Sequence, residues 1–408
     1  MKKRGRGYIG RWIIEAADLR GRIGQLRDEM IGWRRHLHRN PELSFHEQKT
    51  SQFVHDTLES FGGLELSRPT ETSVMAKLVG GAPGRTVALR ADMDALPISE
   101  ENGHEFVSAS PGVMHACGHD AHTAMLLAVA KLFSQSRDEI PGELRFLFQH
   151  AEELYPGGGE QMVEAGCMDG VDAVLGAHVW SPMPTGNVGV AHGPAMASPD
   201  TFKITIKGSG GHAAMPHEVI DPIAVGAQVV TNLQHLVARD SDPLKSLVLS
   251  VTRFSGGSAN NVISSTAELE GTVRVFDAEL RQEAPRKIER IIKGVTEAHG
   301  AGYDLQYQFG YRPVINDEAL SRLVEDAARE GLGEASVEHT APVMGGEDFS
   351  AYQQKAPGAF FYVGGRNESK GIVYPHHHPR FDIDEDALES GVNVFVGAAA
   401  KLLQAERT

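Results

Sequence analysis

The chain has 408 residues, 41% of them apolar, enough to bury a sizeable core and more than one domain usually holds, so two domains are expected. A net charge of −15, with acids and bases interspersed, leaves no basic stripe for a phosphate backbone and excludes nucleic acid as a partner. Two cysteines, Cys117 and Cys167, are too few for a disulfide framework, and no apolar run approaches the roughly 20 residues of a membrane helix, so a cytoplasmic location away from membranes is expected.

The basic start, with Lys2, Lys3, Arg4, Arg6 and Arg11, is not followed by the apolar segment of an export signal. Residues 9–39 then repeat apolar positions at helical spacing, which reads as one or two amphipathic helices of scaffold. Residues 86–89 form a short β-rich run ending in Arg90-Ala-Asp92-Met-Asp94. The segment His115-Ala-Cys117-Gly-His119-Asp-Ala-His122 leads into an apolar helix over 122–135. Residues 144–148 make a second run ending in Gln149-His150-Ala-Glu152-Glu153, residues 172–177 a third that delivers His178, and residues 360–363 a fourth, followed by His376, His377 and His378. Strands alternating with helices indicate an α/β domain with a mostly parallel sheet, in which ligands gather outside the carboxyl ends of the strands. Four strands that each end in acids or histidines therefore point to one site.

Between residues 198 and 310 the pattern changes to strand 201–207, helix 221–239, strands 247–254 and 266–276, helix 277–299 and strand 303–309. This is a β-α-β-β-α-β unit, and the alternation in Phe202-Lys-Ile-Thr-Ile-Lys207 suits a strand with one solvated face. The expected division is a discontinuous catalytic domain, residues 1–195 and 311–408, carrying an inserted α+β domain, residues 196–310.

Cys117, His119, Glu153, His178 and His377 form an N/O/S donor set for borderline divalent metals, too large for one tetrahedral ion and suited to two ions with a bridging ligand. The helix start after Cys117 is expected to favour a thiolate. A carboxylate that ligates metal is a poor base, so Glu153 is assigned to metal and Glu152 to proton transfer. The plainer alternatives are a buried cysteine beside helix-capping residues and a solvated pair of acids in a turn.

The motifs Arg90-Ala-Asp-Met-Asp-Ala-Leu-Pro97, His115-Ala-Cys-Gly-His-Asp120, Ala151-Glu-Glu153, Gly211-His-Ala-Ala-Met-Pro-His217, Asn260-Asn-Val-Ile263, Gly345-Gly-Glu-Asp-Phe349 and His377-His-Pro-Arg-Phe381 occur in this order. With them the chain resembles the aminoacylase/carboxypeptidase metallopeptidases, specifically the branch of hippurate hydrolase, N-acyl-L-amino acid amidohydrolase and auxin-conjugate (IAA-amino acid) hydrolase. The resemblance runs from Trp33 to Glu385. It implies a zinc-peptidase-like α/β/α catalytic domain and an inserted domain that serves as lid and dimer contact. It further implies two divalent ions bridged by Cys117 and completed by His119, Glu153, His178 and His377, with Glu152 activating the water between them. His376 and His378 leave a one-residue ambiguity at His377. Asp94 matches a carboxylate that orients a ligand, with a plain strand-end acid as the alternative. His212 matches a residue lent to the partner's site to polarise the scissile carbonyl, and Asn261 and Arg274 match substrate contacts; as surface residues they need no such role. A homodimer or higher oligomer is implied. Zinc and manganese are expected ahead of nickel and cobalt. The implied reaction is hydrolysis of N-acyl amino acids, with a carboxypeptidase or dipeptidase, or a non-catalytic binding relative, as alternatives. His36, His38, Cys167 and His217 are read as structural.

Overall fold

The computed structural model describes residues 16–405, and they divide into two units. The basic start and the first part of the expected 9–39 helical region lie outside the described residues. The larger unit comprises the chain up to Ala195, Ile315–Ala341 and the chain from Asp348 onward.

An eight-stranded sheet organises the larger unit, in the order Glu65–Ser67, Val74–Val79, Pro141–Gln149, Ala82–Asp92, Ala173–Pro184, Gly358–Arg366, Val188–Val190, Val337–His339. The four strands in the middle, from Pro141–Gln149 to Gly358–Arg366, run parallel, so their carboxyl ends share one edge. Their sequences are near-continuous apolar runs because both faces are covered: Val87, Leu89, Phe146, Phe148, Val174, Leu175, Phe360 and Phe361 are all buried. Antiparallel pairing appears only towards the sheet margins.

The helix His119–Ser134 is apolar almost all round and is buried almost all round, as that composition requires. It packs on the Ala82–Asp92 strand and between the helices Arg27–Arg39 and Asp386–Gln404. Truncating Leu126 or Phe133 in it to alanine would leave a cavity costing about 3–5 kcal/mol. This packing fixes the helix whose first residue is His119. Among the described residues no helix is long and apolar enough to cross a membrane.

The smaller unit comprises Met196–Val314 and Pro342–Glu347. Its antiparallel sheet has the order Leu247–Gly256, Thr266–Val275, Ser198–Lys207, Gly302–Gln308. Alternate residues Ala267, Leu269, Val273 and Val275 are buried under the helices Pro222–His235 and Ala278–Ala298, while the intervening residues stay half-exposed. Both helices start on an aspartate that accepts backbone N–H bonds, Asp221 with Pro222 at the first helical position and Asp277.

Candidate metal centre

The parallel strands deliver their polar residues to the shared carboxyl edge of the sheet. Gly118, between Cys117 and His119, has a φ of 94°, and a Cβ there would collide with a methyl of Val179. Only glycine makes this turn, which is why a Cys-Gly-His triplet carries the first two donors. His178 does not end its strand as expected; it sits inside Ala173–Pro184, paired with Tyr362. His377 adopts a left-handed φ of 64° with its N–H held by Ala116 O at 2.8 Å. A backbone this uncommon for a non-glycine residue persists where surrounding structure demands it.

Two sets of three donors converge, and Cys117 belongs to both. Donor atoms of Cys117, His119 and His178 all lie within 4.8 Å of one another, and so do those of Cys117, Glu153 and His377. Cys117 Sγ is 3.3 Å from His178 Nε2, and Glu153 Oε1 is 3.2 Å from His377 Nε2 and 3.9 Å from His119 Nε2. His119 Nε2 and Glu153 Oε1 are buried yet make no hydrogen bond within the chain. Orphaned buried donors and acceptors are costly, so a pair facing each other across a set of N, O and S ligands fits metal ions.

The other ring nitrogens are tied down. His119 Nδ1 donates to Asp94 Oδ1 at 3.1 Å, and Asp94 Oδ2 accepts the Glu153 N–H at 3.0 Å and the Ser44 hydroxyl at 2.7 Å. His178 Nδ1 donates to Val179 O at 2.5 Å. Each arrangement leaves Nε2 for the ligand position.

A third group, Asp92, His119 and His122, also has converging donors. There both His122 nitrogens are used within the chain, Nδ1 donating to Asp92 Oδ1 at 2.6 Å and Nε2 accepting the Val179 N–H at 2.8 Å. One nitrogen of each neighbouring ring is used within the chain, His376 Nε2 accepting from Ser181 N at 3.1 Å and His378 Nδ1 from Arg380 N at 2.9 Å, while His376 Nδ1 is buried without a partner. Of the three consecutive histidines, His377 faces the centre.

The chain's own field is strongly anionic here. Burial, and then the charges of Glu153, Glu152 and Asp92, push the Cys117 thiol well above its usual range. These contributions work against the thiolate expected from the helix start, and a bound cation would favour it. Burial opposes a proton on His119, but Asp92 and Asp94 outweigh it and raise the ring to about 10. His178 is held well below its ordinary value by burial and by the rings of His122 and His376, so it is neutral and ready to ligate.

Glu152 is buried beside this centre, next in the chain to Glu153. Several partners have no separate signal in the sequence. Asp92 is gripped by Arg90 Nη1 at 2.6 Å, and Arg90 also holds Asp348 at 2.8 Å. Asp120 takes His38 Nδ1 at 2.8 Å and Arg34 Nε at 3.1 Å, and the far His38 nitrogen faces Glu100 at 3.1 Å. Arg34, His38, Arg90, Asp92, Asp120 and Asp348 stand inside the quoted motifs or the stretch from Trp33 to His38, whereas Glu100 stands outside them.

His212, Asn261 and Arg274 belong to the smaller unit. His212 is exposed on the two-residue strand Gly211–His212, paired with Val262, and the neighbouring Asn261 O accepts the Ala213 N–H at 3.1 Å. Arg274 lies towards the other end of the Thr266–Val275 strand, donating to Thr272 Oγ1 at 3.1 Å and Met344 O at 3.3 Å. Within this unit His212 and Asn261 are brought together and Arg274 stands apart.

The profile of peptidase family M20/M25/M40 matches residues 88–401. An N-acyl-L-amino acid amidohydrolase of Geobacillus stearothermophilus is 62% identical over 322 residues, 78% of this chain and 87% of that one. A thermostable carboxypeptidase of Saccharolobus solfataricus is 43% identical over 377 residues, 91% of this chain and 95% of that one. A solved dinuclear metal-binding peptidase from the M20 family of Bacillus subtilis matches with a TM-score of 0.82 at 37% identity, covering 93% of this chain and 99% of that chain.

Proposed function

The chain belongs to peptidase family M20/M25/M40, and from that premise we propose that it releases free amino acids from small N-acyl amino acids, with Glu152 as general acid and base. It is a metal-dependent hydrolase of C–N bonds that uses two divalent ions and acts on a small amide. The observation that carries the site assignment is that Cys117 is common to two three-donor sets.

In this reading His119 and His178 complete one set, and Glu153 and His377 the other. The ions, when bound, supply a Lewis acid for the amide carbonyl and lower the pKa of water. Glu152 takes the proton from the attacking water and delivers it to the leaving amine nitrogen, whose C–N bond breaks. Asp94 keeps the His119 ring turned to the centre and fixes the Glu153 backbone. His212 polarises the substrate carbonyl in a second copy, with Asn261 and Arg274 contacting substrate. A homodimer through the smaller unit accounts for the edge strand Leu247–Gly256: among the described residues it pairs on one side only, and it leaves Phe254 41% exposed. Zinc or manganese suits a set of one sulfur, three imidazoles and one carboxylate, with nickel and cobalt next, and the cytoplasm suits a cysteine that must stay reduced.

Acyl amino acids are preferred to peptides as substrates because the 62% identical relative carries that activity in its name, whereas the carboxypeptidase is 43% identical. Release of amino acid from N-acetyl, N-benzoyl and indole-acetyl amino acids and from dipeptides, with metals added singly, tests this. Faster cleavage of the acyl conjugates is expected; a dipeptide preference would move the chain to the carboxypeptidases, and silence with every metal would contradict catalysis.

A further inference from the structure

We propose that Glu47 is a positioning residue for Glu152, holding the turn that aims this base; the inference rests on the reading of Glu152 as general base. Glu47 is fully buried at the start of the Gln48–Phe61 helix. Its side chain does not serve that helix. Oε1 accepts the N–H of Ala151 at 2.8 Å and the N–H of Phe45 at 3.0 Å, and Oε2 accepts the Thr72 hydroxyl at 3.0 Å.

Both amides belong to strained residues. Among the described residues the non-glycine positions with positive φ are Phe45 at 66°, Ala151 at 49° and His377 at 64°. The first two converge on one carboxylate oxygen, while Ala151 O accepts the Gly158 N–H at 3.0 Å. Ala151 is thus held at both its N–H and its C=O in a conformation an L-residue avoids, and the next residue in the chain is Glu152. Glu153 has a separate anchor, its N–H being held by Asp94. Two buried carboxylates therefore divide the Ala151-Glu-Glu153 segment: Asp94 holds the backbone of the ligand, and Glu47 holds the backbone leading into the base. Because a displacement of about 1 Å at a reacting group costs on the order of 10²-fold in rate, the reach of Glu47 acts on kcat.

Reach and charge separate in two variants. Glu47→Gln keeps the length and an acceptor oxygen for both amides, whereas Glu47→Asp keeps the charge and falls one methylene short. Enzyme loaded with divalent metal is measured for kcat, KM, bound metal and thermal midpoint in both variants and in Glu152→Gln. The expected result is wild-type kcat for Glu47→Gln. For Glu47→Asp it is a kcat lowered by about 10²-fold, with KM and metal content unchanged. Wild-type kcat in Glu47→Asp, an equal loss in Glu47→Gln, or loss of a metal ion from either would overturn the assignment. An active Glu152→Gln enzyme would overturn instead the base assignment beneath it.

Discussion

Asp94 Oδ1 and His119 Nδ1 lie 3.1 Å apart, both residues buried, and this bond leaves Nε2 as the nitrogen turned to the other donors. Asp94→Asn removes the charge and weakens the hold on both the ring and the Glu153 amide. Metal affinity should fall about 10–100-fold while the fold persists, a change that competition with a chelator reads directly. Unchanged affinity would mean that packing alone orients His119.

Glu152→Gln should lower kcat by about 10²–10⁴-fold with both metal ions retained, because it removes a proton carrier and no ligand. Metal analysis beside the assay checks it. Loss of metal from this variant would exchange the roles given to Glu152 and Glu153.

Metal binding should release protons. Without an ion, Cys117 is held as a thiol by burial and the neighbouring carboxylates, and His119, raised to about 10, keeps its proton at neutral pH. Both must deprotonate to ligate, so about two protons should leave on loading, and affinity should drop as pH falls. Calorimetry in buffers of different ionisation enthalpy counts them; no proton release would contradict ligation by these two residues.

The His38 network predicts a pH-dependent stability. Burial works against the charged ring, but Asp120 and Glu100 prevail and raise it to about 9. A folded value above the unfolded one means the contribution is complete below about pH 6.5 and is lost as pH rises through about 9. Relative to His38→Gln, wild-type stability should decline over that interval by up to about 3 kcal/mol, as urea unfolding at a series of pH values would show. A flat difference would remove the charged His38 from the account.

Much of this centre is legible in the sequence, because parallel strands deliver their last residues to one edge and runs such as Leu144–Phe148 end visibly in polar residues. His178 is misleading: the apolar run before it looks like a complete strand, yet pairing with Gly358–Arg366 carries the strand on to Pro184. Periodicity does not reveal which side chains meet across long separations. His38 finds Asp120 across 82 residues and Glu47 finds Ala151 across 104, separations no local pattern spans. In the triple histidine no sequence pattern tells the rings apart, whereas in three dimensions Ser181 N binds His376 Nε2 and His377 Nε2 stands 3.2 Å from Glu153 Oε1.

The shared cysteine is the most direct test of the whole account. Metal bound per chain is counted by mass spectrometry in wild type, Cys117→Ala, His178→Ala and His377→Ala after loading and removal of free ion. Two ions are expected in wild type, one in each histidine variant and neither held tightly in Cys117→Ala, since that residue alone belongs to both sets. A Cys117→Ala chain that kept one tightly bound ion would contradict the bridge on which the site assignment rests.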